Sequence, residues 1–314
     1  KGGPSMPHAK RYRYVREFFA DDDLVAVYPI DETELGIEAY PKGWTKFITE
    51  VERIFSLGAD GRAVFYVSEP EYYVYLDSLG YDVVMLDRTL NPISATMIRK
   101  NPIKYWNKIT YPFRRVFSTN ILICGTASEG KTTLTKDLGK YFNAPYSHEY
   151  ARDYMEQSYI SEWELDGADY MAFLDGQYQL NKKLINSPSN QGIFFADSDS
   201  MTTRMYAEYY CKDPELELTE DEFKEIAVAA DAITKKCRWD KIYLLCPNGK
   251  FVDDHSRFML HAGMEERNGL FEILCEDIKR TGNWDKVTIL DGGYWKNFER
   301  IVKDVKEIIE NGKD

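Results

Sequence analysis

A chain of 314 residues is long enough for two ordinary domains, and at 44% hydrophobic it can bury a core in each. A formal net charge of −12 argues against general nucleic-acid binding, and no apolar run reaches the ~18 residues that a membrane span needs. Five cysteines without a C-x-x-C pair and four histidines without ligand spacing argue against a disulfide frame or a metal cage, and fit a reducing, cytoplasmic setting.

The opening Lys1-Gly-Gly-Pro-Ser-Met has no apolar signal core and no initiator methionine, so the sequence is expected to start inside a longer protein. Residues 11–19 repeat aromatics at helical spacing, and residues 24–30 (LVAVYPI) read as a strand. Trp44, Phe47, Ile48, Val51 and Phe55 form a helical stripe. Residues 63–67 read as a strand, Ser68-Glu-Pro-Glu as a helix start, and residues 82–86 as a further strand. Strands alternating with helices imply a parallel, doubly wound, Rossmann-like sheet. About three strands before residue 92 are few for a complete domain of this kind.

Between Asp87 and Glu129 there is no acidic residue, while Arg88, Arg99, Lys100, Lys104, Lys108, Arg114 and Arg115 all lie there. Ser94 can cap a helix, and Arg99 lies about one turn further on; a helix start with an arginine is phosphate chemistry, although an ordinary capped helix fits equally. Residues 101–117, with two prolines and many bulky aromatics, read as a packed connector that docks two domains together.

Ile121 to Cys124 is a buried strand followed by Gly125-Thr-Ala-Ser-Glu-Gly130-Lys131-Thr132, which fits G-x-x-x-x-G-K-[ST], and then by an amphipathic helix. Strand, glycine loop and helix are the context a P-loop requires. Gly125, Ser128, Glu129, Gly130, Lys131, Thr132 and Thr133 are therefore the expected ATP contacts. Lys131 would reach the β- and γ-phosphates, and the Thr132 hydroxyl would bind Mg²⁺.

After this helix, Glu149 lies where a second strand ends, at the edge where parallel sheets bind ligands. It can take the proton of an attacking substrate hydroxyl, or it can simply cap the next helix. Tyr150, Tyr154, Trp163 and Tyr170 can stack a planar ring or make core. Ile193 to Ala196 is a buried strand, and Asp197 at its end is the expected Mg²⁺ carboxylate. Asp199 is left for catalysis at the substrate hydroxyls, with the two roles exchangeable. Residues 204–235 read as helical, with an exposed acidic stretch from Glu215 to Glu225. Residues 241–246 and 287–290 are further strands. Between them, residues 248–269 with Arg257 and Arg267 suit a lid whose arginines neutralise a transferring phosphoryl group, or an ordinary surface loop.

These motifs, in this order, resemble the NadR-type proteins, which join an NMN adenylyltransferase domain to a ribosylnicotinamide kinase. The likeness rests on Ser68-Glu-Pro-Glu-Tyr72, Ile93-Ser-Ala-Thr-Met-Ile-Arg99, Asn101-Pro, Tyr105-Trp106, the P-loop, Glu149-Tyr-Ala-Arg152-Asp-Tyr154, and Asp197-Ser-Asp199 with Thr202-Thr203. It spans about residues 10–300. It implies an α/β chain of two parallel-sheet domains: a partial nucleotidylyltransferase domain with its connector over residues 1–116, then a P-loop kinase domain over 117–314. It further implies phosphorylation of nicotinamide riboside to NMN in NAD salvage, with ATP as substrate and Mg²⁺ as cofactor. Tyr150, Arg152, Tyr154 and Asp199 become the expected substrate contacts, and Ser94, Thr96 and Arg99 an adenylyltransferase nucleotide site.

The family's early histidine-bearing segment has no counterpart here, so NAD formation is expected only where a longer native chain supplies it. The implied partners are small molecules (nicotinamide riboside, NMN and ATP), with no nucleic acid and no membrane; a homo-oligomer stays open. Another P-loop nucleoside kinase and a non-catalytic sensor of NAD-related nucleotides are the alternatives. A GTPase would need an Asn-Lys-x-Asp guanine reader after a late strand, and none follows.

Overall fold

A computed structural model of the chain describes residues 6–55, 63–247 and 263–311. The chain divides into two compact units: Lys1–Arg99 with Thr110–Pro112, and Lys100–Ile109 with Phe113–Asp314.

The first unit contains α1 (His8–Phe18), α2 (Trp44–Phe55), β1 (Val64–Val67), α3 (Pro70–Ser78) and β2 (Asp82–Met85); α4 (Ala95–Lys100) begins in it. β1 and β2 pair in parallel, from Val64 opposite Asp82 to Val67 opposite Met85. The parallel pairing follows from the crossover through α3. The stripe on α2 buries Ile48, and Trp44 packs on Tyr72 with ring centroids 4.5 Å apart. The strand expected over residues 24–30 does not form: this segment is irregular, and Leu24 is 96% exposed. Pro29 has no N–H to give to a ladder, and among the described residues this unit's sheet consists of β1 and β2.

Among the described residues, the second unit is a five-stranded sheet with helices on both faces. Its strands are β3 (Thr119–Gly125), β4 (Tyr146–Ser147), β5 (Ile193–Asp197), β6 (Lys241–Leu245) and β7 (Val287–Leu290). They lie in the order β4-β5-β3-β6-β7, and every pairing is parallel. The helices are α5 (Tyr111–Phe117), which starts at the boundary between units, α6 (Lys131–Phe142), α7 (Tyr150–Ser158), α8 (Gly167–Ile185), α9 (Ser200–Tyr210), α10 (Glu220–Thr234), α11 (Met264–Arg280) and α12 (Tyr294–Asn311).

β3 shows why the sheet needs cover on both sides. Its alternating residues feed two cores: Leu122 and Cys124 pack with α8, α9, α10 and α11, while Ile121 and Ile123 pack with α6 and α12. The helical stretch expected over residues 204–235 is broken into α9 and α10. Asp213-Pro214 cannot continue a helix, and Thr219 restarts one through a capping box with Glu222.

Residues 100–109 belong to the second unit, so the division comes earlier than residue 116. Trp106 is 3% exposed, and its indole N–H donates to the Asn190 carbonyl at 2.8 Å. The ring lies over Gly192, where an added Cβ would come within 3.3 Å of Trp106 Cε3.

Candidate functional site

The site is built at the ends of β3, β4 and β5. Gly125 closes β3 with φ +147°, and an added Cβ there would stand 2.8 Å from the Leu245 carbonyl oxygen. Only glycine satisfies both conditions. Ser128 and Gly130 also take positive φ, 62° and 79°, which curls the loop back so that α6 begins at Lys131. A non-glycine residue held in that region is strain of the kind found at ligand clamps.

Lys131 is buried, with its ammonium donating to the Thr126 carbonyl at 2.7 Å. Thr132 donates its hydroxyl to Asp197 Oδ2 at 2.5 Å. Thr133 is on the exposed side of the helix start. Glu129 does not turn its carboxylate into the loop; it accepts from Arg267 Nη1 at 2.9 Å, and both side chains are 3% exposed. Arg267, on the first turn of α11, is thus tied to the P-loop. Arg257 lies outside the described residues.

Asp197 is fully buried at the end of β5. Burial pushes its carboxyl pKa up and the neighbouring Glu149 adds to this, while Lys131, the Thr132 hydroxyl and Arg152 pull it down. A buried carboxylate and a hydroxyl, both hard oxygen donors, side by side at the start of the P-loop helix fit Mg²⁺, which takes few protein ligands and completes its shell with water and phosphate oxygens. Among the described residues no cluster of three His, Cys, Asp or Glu offers a full protein cage.

Glu149 precedes α7 and is 8% exposed; Arg152 Nε donates to its Oε2 at 2.9 Å. Its backbone is clamped from both sides. Gln177 on α8 accepts from the Tyr150 N–H at 2.8 Å and donates to the His148 carbonyl at 3.2 Å. Nothing in the local sequence announced Gln177, because its partners lie 27 and 29 residues away.

Glu149 lines a partly open cavity. Arg152, Ser198, Thr202 and Thr203 line it together with aromatic residues of α8 and α9. The Thr202 hydroxyl is buried and has no hydrogen-bond partner among the described residues. Tyr206 and Tyr210, one turn apart on α9, also line the cavity and escaped sequence reading. Their i, i+4 aromatic spacing was the available signal.

Three expected contacts are placed elsewhere. Asp199 is buried and caps α9: Oδ1 accepts from the N–H groups of Met201 and Thr202 at 3.0 and 3.4 Å, and Oδ2 from Trp239 Nε1 at 2.9 Å. Both its oxygens thus take part in hydrogen bonds within the fold, as a helix cap and as the acceptor for Trp239. Tyr154 donates its hydroxyl to Asp169 at 2.9 Å, and Tyr150 packs over Gly176. Neither lines the cavity; Arg152 of the same motif does. In the first unit, Ser94 Oγ accepts from the Met97 N–H at 3.2 Å, and Arg99 Nη2 donates to Thr96 Oγ at 3.3 Å. Ser94 immediately precedes α4, and Thr96 and Arg99 lie on it.

Residues 120–296 match the AAA domain family. The chain is 26% identical over 311 residues to the trifunctional NAD biosynthesis/regulator protein NadR of Escherichia coli strain K12, covering 98% of this chain and 70% of that protein. It is similar to the crystal structure of a NadR protein in complex with NR: TM-score 0.83, 34% identity, 98% of this chain and 84% of the other. It is likewise similar to a NadR protein in complex with NAD and AMP-PNP, with TM-score 0.82, 33% identity, and coverage of 98% and 83%. No helix among the described residues is long and apolar enough to cross a membrane.

Proposed function

The chain belongs to the NadR family, and from that membership we propose that its second unit moves the γ-phosphoryl group of ATP to the 5′-hydroxyl of nicotinamide riboside, giving NMN and ADP in NAD biosynthesis. One observation carries the reading: the P-loop pair Lys131 and Thr132 and the buried Asp197 come together with the carboxylate of Glu149, which itself lines a cavity. That is the set a phosphoryl transfer to a small alcohol needs.

The loop from Gly125 to Thr133 cradles the triphosphate. Lys131 exchanges its Thr126 carbonyl for phosphate oxygens and meets the charge that builds on them. Thr132 and Asp197 would hold Mg²⁺, which neutralises phosphate charge when bound. The riboside lies in the cavity with its 5′-oxygen toward Glu149, and the Thr202 hydroxyl is available to a ribose hydroxyl. As the 5′-oxygen bonds to the γ-phosphorus and the bridging bond to the β-phosphate oxygen breaks, Glu149 takes the hydroxyl proton. Arg152 holds the Glu149 carboxylate in place. Glu129 and Arg267 brace the loop from behind. The work is mostly positioning and electrostatics, as loose phosphoryl transfer requires. Arg257 is proposed to join the transferring phosphoryl group from the segment between β6 and α11.

For the first unit, Ser94, Thr96 and Arg99 support a nucleotide site of the adenylyltransferase kind, acting on NMN and ATP. Adenylyl transfer is expected only in a chain that also carries the family's histidine-bearing segment; in such a chain, pyrophosphate release from NMN and ATP that falls in Arg99→Ala supports this assignment, and release indifferent to the change removes it. We place the protein in the cytoplasm, on its buried and partly buried free thiols.

The kinase test is direct. Incubation with nicotinamide riboside, ATP and Mg²⁺ is expected to yield equal amounts of NMN and ADP. A rate no higher than that of Lys131→Met overturns the reading.

A further inference from the structure

Glu129 stands inside the phosphate loop, two residues before Lys131, so the two Cα atoms lie within about 7.6 Å of each other. It is held between Ser128 and Gly130, whose φ values of 62° and 79° curl the loop there. A loop of this kind aims backbone N–H groups at an anion, and a carboxylate within it is a charge of the wrong sign. ATP bound there brings several negative charges beside it. At an effective dielectric constant of roughly 20, one uncompensated carboxylate about 10 Å from those charges weakens binding by about tenfold or more.

The compensating charge comes from far along the chain. Arg267, on the first turn of α11 and 138 residues from Glu129, donates from Nη1 to Glu129 Oε1 at 2.9 Å. Both side chains are only 3% exposed. A guanidinium keeps its proton under all ordinary conditions, so the charge it sets against this carboxylate is permanent. Burial also makes either charge strongly unfavourable once the other is taken away.

We propose that Arg267 is a positioning residue that acts on ATP through Glu129: it neutralises the loop's own carboxylate and thereby sets how tightly the loop holds a triphosphate. The guanidinium needs no contact with the transferring phosphoryl group to do this. The inference rests on the reading of this loop as the ATP cradle, and it goes beyond bracing, because the pair works by charge.

The test measures equilibrium binding of ATP with Mg²⁺, without any acceptor, to the full chain and its variants. Arg267→Met strands the carboxylate and is expected to weaken binding by about tenfold or more. Adding Glu129→Gln to Arg267→Met removes the stranded charge and should recover most of that loss. Arg267→Lys keeps the positive charge and should keep most of the affinity. A double variant that binds ATP as weakly as Arg267→Met overturns the inference, because a phosphate contact or a mechanical tie is not restored by removing Glu129. Arg267→Met with wild-type affinity overturns it too. Melting curves show which variants fold. If Arg267→Met does not, the double variant decides, since it buries no unpaired charge: affinity within about fivefold of Arg267→Lys supports the inference, and a larger loss overturns it. Wild-type protein that binds ATP but forms no NMN from nicotinamide riboside overturns the kinase reading and leaves this inference to the binding data. Wild-type protein that binds no ATP overturns both.

Discussion

Lys131 and Glu149 are both largely buried, and burial makes each worth more to a reacting phosphate than it would be in water. Lys131→Met should lower turnover by ~10²–10³, the usual loss when one preorganised charge-stabilising group goes. Its unfolding midpoint should stay near that of wild type, because methionine keeps most of the stem. Glu149→Gln keeps the shape and removes the base; kcat should drop by roughly 10²–10⁴ while KM for ATP holds steady. Steady-state kinetics with each substrate varied in turn read both effects. Asp199 makes the contrast. Burial raises its carboxyl pKa to about 6, despite three N–H donors that pull the other way. The folded state thus holds its proton at a higher pH than the unfolded chain does, so the associated stability is complete below about pH 4 and is lost as pH rises through about 6. Denaturant titrations between those pH values should show this falling limb in wild type and not in Asp199→Asn. Asp199→Ala should destabilise by about 2–4 kcal/mol, from a lost cap and an orphaned Trp239 N–H. Activity per folded molecule should fall far less than in Glu149→Gln.

At the scale of elements, the turn between β4 and α7 depends on a helix that comes later in the chain. Gln177 on α8 holds the backbone on either side of Glu149. Gln177→Leu should lower kcat by about tenfold with little change in KM for ATP, since a base misplaced by 1 Å costs rate even when the chemistry is intact. If kcat survives Gln177→Leu, the clamp has no part in placing Glu149. The sequence carried the P-loop plainly, because glycine, lysine and threonine at fixed spacing serve a local backbone shape. Asp197 was equally legible as the polar end of an apolar strand. The cap role of Asp199 was not legible, because two residues beyond a strand a carboxylate can face a ligand or cap a helix, and its bond to Trp239 joins residues far apart in the chain. Gln177 and Tyr206 stayed silent for the same reason: their places come from which helices pack together, and periodicity does not report that. The missing strand over residues 24–30 had the right apolar content, but a strand exists only with a neighbour, and Pro29 weakens the offer.

On the scale of the whole molecule, the division into units gives a cutting prediction. A fragment of residues 100–314 keeps Trp106 over Gly192 and bonded to Asn190. A fragment of residues 117–314 loses that indole, and should be less stable by about 3–5 kcal/mol, the range for deleting a large buried aromatic. Thermal melts of the two fragments, side by side, check it; equal midpoints would show that residues 100–109 are passengers. The strand order has a consequence for how the protein is made. β3 carries the P-loop, yet it pairs with β5 and β6, both of which leave the ribosome after it. The carbonyl that Gly125 fits against belongs to Leu245, near the end of β6. A nascent chain therefore owns the whole phosphate-binding sequence long before it owns the wall behind it. Nucleotide cannot help the early chain fold, and it can hold the protein together only once β6 has docked, so ATP acts on this domain as a late lock and not as a template.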